Sequence, residues 1–337
     1  MYFFTTVVIA SLIASLIAQT VGHSIFTREP RFQTVVYWGQ NGGGTVESDD
    51  LSMYCTSDSK IDIIVLAFLY TYGNGLRIAS GTIGQSCVIT QSGEPQNCDS
   101  LAAAIKKCQS NGVKVMLSLG GAAGAYSLMS RDEAETIGQN LWDAYGNSKN
   151  GRVPRPFGDV FVNGWDFDIE SYAGTQYYPY LIKKLRSNFA SDSFNNYYIT
   201  GAPQCPIPEP YMQEIFTEAK FSSLWVQFYN NPGCSVNSEI NYNGWVRNIA
   251  NTSSADARIF IGVPASPLAA TGSSQGSAYY LEPNALASLV ARYKNDGNFG
   301  GIMTWSAGFS DANKVNGHTY VQHVKCILEQ GQPCLPQ

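Results

Sequence analysis

Val162-Asn163-Gly164-Trp165-Asp166-Phe167-Asp168-Ile169-Glu170 is the stretch of this sequence that decides the fold. From Trp165 onward acidic and apolar residues alternate, which is the period-two pattern of a β-strand. Asp166, Asp168 and Glu170 therefore share one face, at a spacing of about 6–7 Å. Two ionised carboxylates at that distance repel by about 2–3 kcal/mol at an effective dielectric constant of about 20. The repulsion is relieved if one carboxyl group keeps its proton near neutral pH, as a general acid must.

Two other interpretations of this stretch stay open. A solvated edge strand can present one acidic face, but the other face needs a core, and the apolar segments 61–69 and 113–119 look like buried neighbours. An Asp-x-Asp-x-Glu pattern can also offer oxygen ligands to Mg²⁺ or Ca²⁺, but the ends of the other predicted strands supply few further carboxylates. The residues favour acid catalysis, with no metal and no cofactor.

The composition excludes several classes of protein. With 337 residues, 44% of them hydrophobic, the chain can bury one large core or two small ones. Only 14% of the residues are charged, the net charge is −5, and no basic cluster suggests nucleic acid or a membrane surface. We expect neither as a partner, and we expect a monomer. The 20 Tyr and 6 Trp give mild support for a carbohydrate groove, because these side chains stack on sugar rings.

The N-terminus has the features of a secretory signal. An apolar run over 3–18 is followed by small residues at plausible cleavage points, so residues 1–22 are predicted to be a signal peptide and the mature protein to be soluble and extracellular. Eight cysteines, an even number, predict disulfides in such a chain. Three histidines and no Cys-x-x-Cys pair argue against a zinc site. Asn251 begins an N-glycosylation sequon.

Eight strand-like segments, mostly separated by helical ones, follow the N-terminus. The strands are predicted at 34–38, 61–70, 113–119, 162–170, 197–202, 224–229, 258–263 and 301–305. The helices are predicted at 100–109, 131–145, 178–188, 210–219, 239–250, 283–293 and 321–329. This alternation predicts an α/β fold, a single (β/α)8 TIM barrel over residues 30–330. The alternative is an open doubly wound sheet, but the glycine-rich segment 39–44 lacks the nucleotide-binding spacing.

Polar or aromatic residues recur at the C-terminal ends of the predicted strands, where barrel enzymes build their active sites. We expect them to converge on one pocket: Tyr37, Gln40, Ser118, Glu170, Gln204, Gln227, Tyr229 and Trp305. The third strand ends in Gly120 and Gly121, which predicts that the backbone passes close to another part of the molecule there.

Several motifs together resemble family 18 of the glycoside hydrolases, the chitinases. Residues 163–170 resemble the motif Asp-Gly-x-Asp-x-Asp-x-Glu, and residues 118–121 resemble Ser-x-Gly-Gly. Four further segments resemble the class III branch of fungi and plants, at 37–41, 202–206, 225–231 and 305–306. The matches run from residue 35 to 306. Asn163 departs from the motif, which has Asp there; this position is expected at the start of the strand, so the departure bears on the pH optimum and not on the chemistry.

The resemblance implies a secreted endochitinase that cleaves β-1,4 bonds between N-acetylglucosamine units with retention and with assistance from the substrate. Glu170 would protonate the glycosidic oxygen, Asp168 would orient the substrate's acetamide, and Asp166 would share a proton with Asp168. Tyr229 would hydrogen-bond the acetamide oxygen. The implied substrate-binding residues are Tyr37, Gln40, Asn41, Phe68, Ser118, Gly120, Gly121, Gln204, Gln227 and Trp305.

The family pattern also implies a set of disulfides and two non-proline cis peptides. The implied pairs are Cys55–Cys108, Cys87–Cys98 and Cys205–Cys234, with Cys326 and Cys334 left as a fourth pair. By themselves the residues leave the connectivity open, since eight cysteines can pair in many ways. The implied cis peptides are Ala67–Phe68 and Trp305–Ser306.

Two other functions stay open. Some proteins of this fold are chitin-binding lectins or glycosidase inhibitors that have lost the acid or blocked the cleft, but all four implied catalytic residues are present here. An endo-β-N-acetylglucosaminidase acting on N-glycans shares the acidic motif, although the first-strand and sixth-strand matches favour the chitinase branch.

Overall fold

The computed structural model describes residues 31–41 and 47–336, which lie in one compact unit. The predicted signal peptide, residues 1–22, lies outside the described residues. So does the middle of the glycine-rich segment, residues 42–46. Among the residues described, no helix is long and apolar enough to cross a membrane.

Eight parallel strands close into a barrel, and each strand pairs with its neighbours in chain order. They are β1 (Gln33–Trp38), β2 (Ile63–Leu69), β3 (Lys114–Gly120), β4 (Gly164–Asp168), β5 (Tyr198–Gly201), β6 (Ser223–Gln227), β7 (Arg258–Pro264) and β8 (Phe299–Trp305). Strand β8 closes the barrel by pairing with β1. The predicted (β/α)8 TIM barrel is confirmed.

Helices follow seven of the eight strands in the described part of the chain. They are α1 (Asp99–Ser110), α2 (Arg131–Tyr145), α3 (Tyr178–Phe189), α4 (Gln213–Glu218), α5 (Tyr242–Ile249), α6 (Pro283–Tyr293), α7 (Ala307–Ala312) and α8 (Tyr320–Gln330). In the crossover from β1 to β2, the described residues 47–62 contain a 3-10 turn, Leu51–Cys55. Helix α7 was not predicted, because its six residues include Gly308, Ser310 and Asp311, which have low helix propensity.

An antiparallel excursion between β2 and α1 was not predicted. Its short strands are Thr71–Gly73, Leu76–Ile83, Cys87–Ile89 and Pro95–Gln96, and they form one sheet with Ala125–Ser127. Three of these four are only two or three residues long, and the eight-residue strand Leu76–Ile83 reads Leu-Arg-Ile-Ala-Ser-Gly-Thr-Ile, so none shows a clear alternation of apolar and polar residues. Because the excursion begins at the C-terminal end of β2, it builds a wall at the mouth of the barrel.

Strand β4 divides its side chains between two cores, as its alternation predicts. Trp165 and Phe167 are fully buried in the layer between the barrel and the helices. The Trp165 ring stacks on Phe189 of α3, with ring centroids 5.7 Å apart. Asp166 is 0% exposed and Asp168 5% exposed on the opposite, interior face. A solvated edge strand is therefore excluded.

Four disulfides hold the loops, and they are the pairs that the resemblance implied: Cys55–Cys108, Cys87–Cys98, Cys205–Cys234 and Cys326–Cys334. The peptides Ala67–Phe68 and Trp305–Ser306 are cis. Asn251 is exposed in the turn after α5. Four disulfides indicate an extracellular protein, because such bonds persist in oxidising compartments.

Candidate active site

Asp166 lies in the barrel interior, and four side chains donate hydrogen bonds to its carboxylate. The Tyr37 and Ser118 hydroxyls each lie 2.7 Å from Oδ2. The Thr200 hydroxyl and the Trp225 indole N–H each lie 2.7 Å from Oδ1. The donors come from β1, β3, β5 and β6, so Asp166 joins four other strands of the barrel to its own.

These four donors affect both the pKa of Asp166 and its ability to bind a metal ion. Burial raises the pKa of this carboxyl group, while the hydrogen bonds favour the ionised form and oppose the rise. A carboxylate has about four acceptor positions, and all are occupied by protein donors, which leaves none for a metal ion. Over residues 31–41 and 47–336, no group of three or more His, Cys, Asp or Glu side chains is placed to hold one.

Asp168 is the next acid along β4 and borders the cavity. The Gln227 side-chain amide donates to its Oδ1 at 3.1 Å and to the Ala202 carbonyl at 2.9 Å. Burial, followed by the negative charges of Glu170, Asp166 and Glu209, raises the pKa of Asp168 well above its ordinary value. This carboxyl group therefore holds a proton more tightly than a solvated aspartate does.

Glu170 lies just past the end of β4, where its carboxyl group lines the cavity. Burial raises its pKa, and the Gln204 amide, which donates to Oε2 at 3.4 Å, opposes the rise. Asn231 donates to the Gln204 side-chain oxygen at 3.1 Å, so the Gln204 nitrogen faces Glu170. The Gln204 contact thus orients Glu170, the acid nearest the cavity mouth, and the raised pKa of Glu170 favours its protonated form.

The backbone of Glu170 is held by a residue that sequence analysis did not single out. The Glu170 N–H donates to the Tyr126 hydroxyl at 2.9 Å, and this hydroxyl donates to the Gly121 carbonyl at 2.9 Å. Tyr126 lies on the short strand Ala125–Ser127. Its position after the Gly-Gly pair of β3 is the one signal that could have pointed to it.

A cavity of about 580 Å³ opens at the C-terminal ends of the strands, within the size range of ligand sites. Ten of the predicted site residues line it: Gln40, Phe68, Gly120, Gly121, Asp168, Glu170, Gln204, Gln227, Tyr229 and Trp305. The excursion after β2 contributes Tyr70, Thr82 and Gly84 to the wall. The strand ends thus converge on one pocket, as the sequence predicts.

Aromatic rings form one side of the cavity. Trp305 stacks on Phe68, with centroids 6.0 Å apart and an interplanar angle of 19°, and Tyr37 packs against both rings from below. Tyr229 is 6% exposed, and burial with the charges of Asp168 and Glu170 raises its pKa, so its hydroxyl stays protonated. Such a surface suits a ligand with an apolar face and polar edges.

Gly120 and Gly121 allow the close approach that the sequence predicts. A Cβ at Gly120 would lie 2.0 Å from the Asp168 carbonyl oxygen, and Gly120 has a φ of +111°. A Cβ at Gly121 would press on the Phe68 ring, and the Gly121 N–H donates to the Asp168 carbonyl at 2.7 Å. These two glycines therefore let β3 approach the strand that carries the acids.

Three residues predicted to bind substrate are not among those lining the cavity. Tyr37 and Ser118 lie beneath it and donate hydrogen bonds to Asp166, and Tyr37 also packs against the cavity residues Phe68 and Trp305. Asn41 turns away: its side-chain oxygen accepts the Glu47 N–H at 2.9 Å. Its amide caps the local loop, a contact that sequence position alone could not reveal.

Asn163, the departure from the acidic motif, precedes the first residue of β4. Its side-chain oxygen accepts the Val115 N–H at 2.8 Å and the Gln109 amide at 3.1 Å. An amide oxygen accepts both bonds, so a carboxylate is not required at this end of the barrel. The position lies at the opposite end of the strand from Glu170, as expected.

Two buried carboxylates in the loops were not predicted. Glu209 is 3% exposed and accepts the N–H groups of Gln204, Tyr211 and Met212. Glu47 is 2% exposed and accepts the N–H groups of Gly39 and Gly308, which fastens the loop after β1 to helix α7. Single acids in irregular segments give no periodic signal, although Glu209 follows the segment 202–206 closely.

The site geometry agrees with a family match along nearly the whole described chain. Residues 33–310 match the model of the glycosyl hydrolases family 18. The chain belongs to this family. In this family 18 member the acidic strand, the Gly-Gly strand end and the cavity thus form one unit.

Individual relatives support the same family. "Endochitinase 2" of Metarhizium robertsii is 60% identical over 314 residues, covering 90% of this chain and 75% of that protein. The solved structure of the chitinase ICChI from Ipomoea carnea is 33% identical, with a TM-score of 0.69, covering 87% of this chain and 98% of that one. The xylanase-A-amylase inhibitor protein XAIP-III is 31% identical, with a TM-score of 0.65, covering 83% and 95%.

Proposed function

We propose that this protein is a secreted endochitinase, which hydrolyses β-1,4 bonds of chitin with retention by substrate-assisted catalysis. The observation that carries the proposal is the placement of Asp166, Asp168 and Glu170. Asp166 lies in the barrel interior, while Asp168 and Glu170 line the cavity. The pKa of each carboxyl group is raised. The endochitinase name of the Metarhizium relative supports the choice of substrate.

In this proposal Glu170 is the general acid and then the general base. It gives its proton to the glycosidic oxygen as the bond to C1 breaks, and it later takes a proton from the water that attacks C1. Its raised pKa supports the first step, because the group holds a proton at a pH where a solvated glutamate is ionised. The position of Glu170 at the cavity wall supports the second step, because water can reach its carboxyl group there.

No protein nucleophile is needed in this scheme. The carbonyl oxygen of the substrate's own N-acetyl group attacks C1 and forms an oxazolinium ion, and water then opens it with net retention. Asp168 orients the acetamide nitrogen and stabilises its positive charge. Asp166 lies behind Asp168. Because protein donors occupy its acceptor positions, it acts on Asp168 through its charge, which adds to burial in raising the pKa of Asp168, rather than through a shared proton. The two carboxyl groups still titrate as a pair.

The remaining residues position the sugar whose bond is cleaved. Tyr229 donates a hydrogen bond to the acetamide oxygen and holds it in line with C1. Trp305 is the floor under this sugar, and Gln204 and Gln227 bind around it. In contrast, Tyr37 and Ser118 act through Asp166, while the other implied contacts come from Gln40, Phe68, Gly120 and Gly121.

We also infer the location of the protein and its partners. Residues 1–22 would direct secretion, and the domain would act as a monomer on chitin, without nucleic acid or a membrane as a partner. The four disulfides support an extracellular location, and the net charge of −5 argues against binding to nucleic acid. Asn251 is exposed and would be glycosylated.

A second candidate is a binder without activity, because a solved relative at 31% identity is an inhibitor of other glycosidases. A third is a glycosidase that acts on N-glycans. Incubation of the purified protein with chitin hexamer and, separately, with a high-mannose glycoprotein distinguishes them. We expect shorter chitin oligomers and an intact glycoprotein. Uncleaved hexamer at every acidic to neutral pH would favour the binder, and released glycans with intact hexamer would favour the third candidate.

A further inference from the structure

Two tyrosines lie together beside the acids and have no role in the scheme above. Tyr172 follows Glu170 by two residues in the loop after β4, and its side chain is 70% exposed. Tyr211 lies in the loop after β5. The two rings are 4.6 Å apart at an interplanar angle of 58°. Single exposed aromatic residues are common on protein surfaces, but an exposed aromatic pair next to a catalytic group indicates a binding site.

The pair is fixed to the machinery of Glu170 by one carboxylate. The Tyr211 N–H donates to Glu209 Oε2 at 2.7 Å, and the Gln204 N–H donates to Glu209 Oε1 at 3.0 Å. The Gln204 side chain in turn contacts Glu170. Burial, Tyr172 and the charges of Glu170 and Glu209 raise the pKa of Tyr211, which places its hydroxyl within their field.

The position of the pair relative to the cavity indicates which part of a bound chain it would meet. Neither tyrosine is among the residues that line the cavity. Tyr172 follows Glu170 by two residues, and Tyr211 is linked to Glu170 through Glu209 and Gln204, so the pair lies beside the cavity on its Glu170 side. Strands β4 and β5 lie across the barrel from β8, which carries Trp305. A chain with one sugar on Trp305 and its scissile oxygen at Glu170 therefore extends its leaving-group side toward the two tyrosines.

We propose that Tyr172 and Tyr211 form an aromatic platform that binds an N-acetylglucosamine unit on the leaving-group side of the scissile bond. This inference rests on the proposed function, because it takes chitin as the polymer. The apolar C–H face of the sugar lies on the exposed Tyr172 ring, and Tyr211 supports that ring from the side. Such a platform retains the leaving portion of the chain and favours cleavage at internal bonds.

The test measures the affinity for chitin hexamer in a Glu170→Gln background, where binding does not depend on cleavage. Tyr172→Ala and Tyr211→Ala are compared with Tyr172→Phe, which keeps the ring. Phe194→Ala is the matched control, because Phe194 is 96% exposed in the turn between α3 and β5, at the other end of the barrel. The same substitutions in the active enzyme are scored by the ratio of dimer, trimer and tetramer released from hexamer.

We expect Tyr172→Ala to weaken hexamer binding about five- to tenfold, the size of one lost aromatic contact. The product ratio should change as well, while Tyr172→Phe and Phe194→Ala bind like the parent. A Tyr172→Ala variant with the affinity and product ratio of Phe194→Ala would overturn the platform and leave the proposed hydrolysis standing. Weakened binding by a protein that cleaves no chitin would support the platform and overturn the hydrolysis. Failure of the parent to bind hexamer would overturn both.

Discussion

The Tyr126→Phe substitution probes how the backbone of the catalytic acid is held. Phenylalanine keeps the ring and its stacking on Tyr72, with centroids 5.5 Å apart. It removes the hydroxyl that accepts the Glu170 N–H and donates to the Gly121 carbonyl. The substitution thus deletes two hydrogen bonds and leaves the packing in place.

The magnitude follows from these two bonds. Each buried polar group left without a partner costs about 1–3 kcal/mol, and entry of water from the adjoining cavity lowers the cost. We expect the free energy of unfolding to fall by about 1–3 kcal/mol in total. We expect kcat on chitin hexamer to fall about ten- to a hundredfold, because small displacements of a catalytic group are costly.

Urea unfolding and steady-state kinetics on hexamer measure the two effects separately. Tyr72→Phe is the matched control: it removes a buried hydroxyl from the same stack, one bonded to Tyr178 at 2.9 Å and not to Glu170. This control should lose stability and keep kcat. If Tyr126→Phe and Tyr72→Phe had the same kcat, the idea that Tyr126 positions Glu170 would be refuted.

Two further substitutions test electrostatics at opposite ends of the barrel. Activity should fall as the pH rises through the raised pKa of Glu170, because the acid must be protonated. Gln204→Leu removes the hydrogen bond that lowers this pKa, so the alkaline limb of the pH–rate profile should move to higher pH. An alkaline limb that stays in place or moves to lower pH would contradict this. Lys325→Met leaves the partly buried Asp62, whose side chain is 17% exposed and which Lys325 contacts at 2.7 Å, without its cation. Urea unfolding should show a loss of about 1–3 kcal/mol with kcat unchanged, and a loss below about 1 kcal/mol would mean that the pair behaves as an exposed one.

Much of the fold could be predicted because the signals are periodic. Buried parallel strands such as β2 and β7 are continuous apolar runs, and the alternation in β4 assigns each side chain to a core. The excursion over 71–96 could not be predicted, since three of its strands are only two or three residues long and the eight-residue strand Leu76–Ile83 has no clear alternation of apolar and polar residues. The 3-10 turn at 51–55, in the described part of the first crossover, likewise shows no helical pattern.

The candidate active site also has a part that the sequence predicts and a part that it does not. Residues at strand ends, such as Glu170 and Gln227, are predictable because barrel topology brings every C-terminal strand end to one face. The depth of each residue is not predictable in the same way: Tyr37 lies beneath the cavity because its hydroxyl bonds to Asp166. Glu209 and Tyr126 act by accepting hydrogen bonds from backbone N–H groups. The sequence alone does not indicate which N–H group a given side chain will contact.

Whether Glu170 supplies the proton is decided by comparing the wild type with Glu170→Gln on chitin hexamer. Glutamine keeps the size of the side chain and cannot deliver the proton. We expect kcat to fall at least about 100-fold, while the variant unfolds at the same urea concentration and binds hexamer with its affinity retained. A folded Glu170→Gln variant with near wild-type turnover would contradict this role of Glu170, since the proton would then come from another group.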